Sequence, residues 1–130
     1  MRTPFKNDTF SLVWKAFKNL YPDKDCKCYW DVIEDKTEDG HEVYGCTYFG
    51  TDEGVTVVVT PTLPICDATE IFAHELAHVA VGSNEEHSNA WKAAFDAIFT
   101  EYNRIGDEMF PGETRIEVVD GKAYVRDEEV

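Results

Sequence analysis

The chain has four cysteines but no Cys-x-x-Cys pair, so the usual zinc-knuckle spacing is missing. No apolar run approaches the length of a transmembrane helix, and no membrane association is expected. Met1 to Lys6 lack the apolar stretch of a secretory signal, which points to a cytoplasmic location with Cys26, Cys28, Cys46 and Cys66 as reduced structural thiols. Asn7-Asp8-Thr9 is then a coincidental glycosylation sequon. Basic residues are scarce in one region above all: none stands between Lys36 and Lys92. The net charge is −14, and residues 37–130 carry nearly all of it, with five Lys/Arg against twenty Asp/Glu. A nucleic-acid groove needs Lys and Arg, so no nucleic acid is expected at a cleft built from this stretch. An acidic cleft favours basic peptide partners and attracts metal ions; the competing account is an acidic surface that only keeps the protein dissolved.

What is present fits one folded unit. A length of 130 residues is close to the commonest domain size, and 43% apolar with 13% aromatic residues is enough for a core rather than a disordered chain. No internal repeat, linker or low-complexity tract divides the sequence.

The most informative stretch is His74-Glu75-Leu76-Ala77-His78, an H-E-x-x-H run. Histidines four residues apart lie one above the other on a helix and can reach one metal ion. The glutamate beside the first is placed to take a proton from water. Asp67-Ala68-Thr69-Glu70 reads as the N-terminal cap of the helix and Gly82 as its stop. Steps of about 100° put Phe72, Leu76, Val79 and Ala80 on a core face, with Ile71, His74, Glu75 and His78 on the neighbouring face.

Catalytic zinc needs a third protein ligand. Ser83-Asn84-Glu85-Glu86 has the form of a capping box, so a second helix is expected from Ser83, with His87, Trp91, Ala94, Phe95, Ile98 and Tyr102 along its buried stripe. Two antiparallel helices joined near Gly82 would return His87 to His78. The rival ligands are Glu85 and Glu86, which also suit a helix start, and Glu101 further along.

Here the chain resembles a known family. The HELAH run followed by His87-Ser88-Asn89-Ala90-Trp91 is similar to the SprT-like minimal zinc metallopeptidases, in which a histidine before a small residue and an aromatic is the third ligand. The resemblance covers residues from about 55 to 102. It implies Zn²⁺ held by His74, His78 and His87, Glu75 as general base, and a single zincin-like metallopeptidase domain over 1–130.

The remaining elements follow from local pattern. Phe10, Val13, Trp14, Phe17, Leu20 and Tyr21 have helical spacing after a cap at Asp8 and end before Pro22. Cys28–Glu34 and His41–Phe49 read as a strand pair around Asp39-Gly40, which would bring Cys26, Cys28 and Cys46 close together. His41 reads as a surface residue. Val55–Thr60 is the strongest strand; by analogy with zincins it is the edge that holds a substrate backbone. Ile116–Val119 and Lys122–Val125 flank Asp120-Gly121 as a hairpin. The expected fold is α+β and minimal zincin-like: an N-terminal helix, a small sheet, the HExxH helix packed on a second helix, and a C-terminal hairpin. The expected function is hydrolysis of peptide bonds, with Tyr44, Tyr48, Tyr102 and Arg104 as the available oxyanion donors. The alternatives are a non-proteolytic zinc-binding module and a metal-free acidic interaction protein.

Overall fold

Asp8 starts the first helix: its carboxylate accepts the Phe10 N–H at 3.1 Å, satisfying one of the open donors of the first turn. The computed structural model describes residues 8–33, 43–82, 88–109, 115–119 and 122–126. Their order is α1 (Thr9–Leu20), β1 (Lys27–Trp30), β2 (Gly45–Thr51), β3 (Gly54–Val59), α2 (Ile65–Val81), α3 (Asn89–Met109), β4 (Arg115–Val119) and β5 (Lys122–Arg126). The fold is a small α+β arrangement of three helices, a three-stranded sheet and a hairpin. No helix among the described residues is long and apolar enough to cross a membrane.

Helix α1 buries Leu12, Val13, Ala16 and Phe17, while Leu20 of the expected stripe is exposed at its end. Helix α2 begins earlier than the cap expected at Asp67. Pro64 stands at the N-cap, where its ring pre-sets φ, and its carbonyl accepts the Ala68 N–H at 2.9 Å. Asp67 falls instead in the first helical turn, where its charge complements the helix dipole. At the other end Gly82 takes a φ of 91°, a conformation that favours glycine, and its N–H bonds the His78 carbonyl at 2.9 Å.

Helix α3 also starts elsewhere than expected. Ser88 lies outside the helix, and its hydroxyl accepts the Trp91 N–H at 3.2 Å as an N-cap. A helix running unbroken from Ser83 is therefore corrected. Ser83 to His87, including the expected capping box, lie outside the described residues. The stripe of Trp91, Ala94, Phe95 and Ile98 is buried as expected, joined by Phe99 and Ile105.

The larger sheet has the order β1-β3-β2. β3 pairs with β1 in parallel (Cys28 opposite Val57) and with β2 antiparallel (Thr47 opposite Val57). Three expectations fail here. β1 and β2 are not partners, and the first strand ends at Trp30 rather than Glu34; Asp39, Gly40 and His41 lie outside the described residues. Nor is the valine strand an edge: β3 is central, with its backbone bonded on both sides. The physical reason is in its composition, because a continuous β-branched run suits a strand covered by neighbours more than a half-solvated edge.

One face of this sheet carries Val57 and Val59 onto α2, which packs on α1 and α3 through its other side. Phe17, Leu76, Phe95, Ile98 and Phe99 fill the resulting core. Each such side chain contributes about 1.5–3 kcal/mol through burial. Leu76→Ala, at the centre, would cost about 2–5 kcal/mol. β4 and β5 pair antiparallel with Val119 opposite Lys122, the spacing expected of a two-residue turn; Asp120, Gly121 and the tail from Asp127 lie outside the described residues.

Candidate metal and acid–base site

His74 and His78 occupy successive turns of α2, and their rings lie 5.0 Å apart between centroids at 66° to one another. Two imidazoles that share one tetrahedral ion at about 2 Å would hold their centres roughly 5 Å apart, a separation that these rings match. Trp91 of α3 packs against both rings, 4.7 Å from His74 and 5.6 Å from His78. Its indole N–H donates to the His74 carbonyl at 3.1 Å. Behind it, Phe95 stacks at 5.3 Å, which anchors the indole to the core. The aromatic of the H-S-x-x-W segment thus ties the start of α3 to the H-E-x-x-H turn.

Glu75 is buried although it is charged in water, with only 6% of its surface exposed. Burial pushes its carboxyl up to about 7, against the lowering effect of a hydrogen bond from Thr47. The Thr47 hydroxyl, on β2, reaches Glu75 Oε1 at 2.7 Å. The other carboxylate oxygen lies 3.9 Å from His74 Nε2. A carboxyl that titrates near neutrality suits a group that must both take and return a proton.

Gly45 makes this approach of strand to helix possible. A Cβ there would stand 2.5 Å from Ile71 Cγ2 and 3.0 Å from Glu75 Oε2. A side chain at Gly45 would force a shift of the Ile71 and Glu75 side chains or of β2 itself.

Among the described residues no group of three or more His, Cys, Asp or Glu side chains is gathered as for a metal ion. The expected third ligand, His87, lies outside the described residues, as do its rivals Glu85 and Glu86. His87 is nonetheless bonded to Ser88, which caps the helix one turn before Trp91. The third rival, Glu101, is about 15 Å along α3 from Trp91. It is held there by Arg104 and Asn19, whose donors keep its carboxyl well below the usual range, at about 2.

None of the four expected oxyanion donors converges on the site. Tyr48 alternates with Thr47 along β2 and therefore points to the opposite sheet face, and Tyr44, just before the strand, is exposed. Tyr102 packs edge-on to Phe99, about 16 Å along α3 from Trp91, and Arg104 is paired with Glu101 and Glu108 beyond it. The residues that do adjoin the H-E-x-x-H turn, Thr47 and Gly45, were not singled out by sequence reasoning. A glycine inside a strand pattern is a signal of close backbone approach; Thr47 offered no comparable signal before the sheet register was known.

No protein-family model, curated protein or solved structure matches the chain.

Proposed function

We propose that this chain is a zinc-dependent metallopeptidase of minimal zincin type, with His74, His78 and His87 as ligands and Glu75 as general base. The observation that carries the reading is the H-E-x-x-H turn itself: two imidazoles 5.0 Å apart on one helix, with a buried carboxyl between them held by Thr47. Zinc bound there supplies a Lewis acid that polarises the scissile carbonyl and lowers the pKa of water toward about 7. Glu75 takes the proton of the attacking water and returns it to the leaving amine, a shuttle that its burial-raised acidity favours. Trp91 and the core behind it fix His74 and exclude water from that side of the rings. For the substrate, β2 is the strand beside Glu75, and among the described residues it is paired on one side only. An extended peptide added to its open edge would pass the carboxyl. The lack of any Lys or Arg between Lys36 and Lys92 favours a basic peptide.

The test is metal content and turnover on the same preparation. Protein purified without chelator and re-supplied with zinc is expected to hold one ion per chain and to cleave unfolded protein or basic peptides. Glu75→Gln is expected to keep the ion and lose activity by about 10²–10⁴-fold. Zinc without turnover on any peptide would convert the reading to a non-proteolytic zinc module, and no zinc at all would reject it in favour of an acidic interaction protein.

A further inference from the structure

A second pair of reactive side chains lies away from the histidines, at the start of β1. Cys26 directly precedes β1 and Cys28 is the second residue of that strand. Their sulfurs are 3.7 Å apart in a thiol–thiol hydrogen bond. The other two cysteines are placed elsewhere. Cys46 is on β2, across the central strand and on the other sheet face, opposite Val58, where Cys28 is opposite Val57. Cys66 is exposed in the first turn of α2.

We propose that Cys26 and Cys28 form a redox-active dithiol that small-molecule disulfides convert into a Cys26–Cys28 intrachain disulfide. The two thiols are unequal in the way such a pair requires. Cys28 is exposed and open to attack an oxidant, whereas Cys26 is half-buried against the core and positioned to act second. The hydrogen bond between the two thiols pulls Cys28 below its ordinary value, against partial desolvation and the Asp25 charge. Cys26 is pushed up, through that same bond, then burial and Asp25.

The exchange balances as follows. The Cys28 thiolate attacks one sulfur of a disulfide RSSR, forming Cys28–S–S–R and releasing RS⁻. Cys26 gives its proton to that thiolate, and its sulfur attacks Cys28 Sγ and expels the second RS⁻. Two protein thiols are oxidised and one small disulfide is reduced to two thiols. Bridging positions i and i+2 stretches the ring to the upper limit of Cα separations that a disulfide tolerates. A strained, accessible disulfide is readily reduced, so the pair is poised for reversible switching in a glutathione-buffered compartment.

The experiment is titration of the whole chain with mixtures of glutathione and glutathione disulfide in the presence of chelator, followed by acid quench, alkylation and peptide mass mapping. The expected result is loss of two free thiols, a fragment lighter by two hydrogens that carries linked Cys26 and Cys28, and reversal by excess glutathione. Cys26→Ser should instead accumulate a glutathione adduct on Cys28, and Cys28→Ser should react at Cys26 at least about 10-fold more slowly. Persistence of both thiols, a wild-type adduct that does not close, or pairing with Cys46 or Cys66 would overturn the proposal. The wild-type mapping decides the matter even if a serine variant fails to fold.

Discussion

The Thr47 hydroxyl donates to the buried carboxylate of Glu75 across 2.7 Å, joining β2 to the middle of α2. That single bond is the polar compensation the strand gives to a group that water would otherwise solvate, and it makes Glu75 a sensitive reporter of the site.

The metal-free chain should lose stability as pH rises through the acid range because of Glu75. Its carboxyl moves from an ordinary value of 4.5 to about 7 on folding, so the folded state binds the extra proton. The penalty for ionising it is absent below 4.5 and complete above about 7. Urea unfolding in chelator, from pH 4.5 to 8, is expected to show a slope toward lower stability approaching 1.4 kcal/mol per pH unit from this group. Glu75→Gln should remove that component; an identical pH profile in the variant would show that Glu75 does not titrate in this window.

Thr47→Val keeps the shape of the strand and deletes the donor. At pH 8 the ionised Glu75 is then left short of a partner, at a cost of about 1–3 kcal/mol. At pH 5, with the carboxyl protonated, the cost should shrink. Equal destabilisation at both values would trace the effect to packing alone.

Gly45→Ala places a methyl against Ile71 and Glu75, and overpacking of this kind costs about 1–3 kcal/mol. Removing the obstructing side chain by Ile71→Ala in the same protein should recover part of that loss. The double-mutant cycle reads the coupling directly, and additivity of the two changes would show that the contact is not the cause.

The third ligand is decided by zinc affinity. His87→Ala is expected to weaken binding by more than about 100-fold, as are His74→Ala and His78→Ala, whereas Glu85→Gln and Glu86→Gln are expected to stay close to wild type. Competition with a chromogenic chelator gives the affinities; a strong loss at either glutamate instead of His87 would reassign the ligand.

The helices were legible in the sequence because their signals are local. Asp8 caps α1, Gly82 stops α2, and the Trp91, Phe95, Ile98 spacing marks the buried side of α3. Their starts were less so. Pro64 sets the beginning of α2 although Asp67 has the better cap chemistry, and Ser88 caps α3 although Ser83 begins the better capping box. Strand partnership was hidden for a different reason. Cys28 meets Val57 in parallel, and no nearby turn announces such a contact. Three of the site's four expected residues, His74, Glu75 and His78, sit together on α2, while Thr47 and Gly45 join them only through a sheet register that sequence spacing does not encode.

The parallel pairing of β1 with β3 also sets an order in time. β2 and β3 are joined through the short link around Asp52 and Glu53, so they close as a hairpin in about 1–10 μs. Lys27 must find Thr56 across the whole intervening chain, a slower closure. During synthesis, at about 5–20 residues per second, β1 leaves the ribosome on the order of seconds before its partner exists. For that interval Tyr29 and Trp30 belong to a synthesised segment whose sheet partner does not yet exist, and their aromatic rings are left for a chaperone to cover.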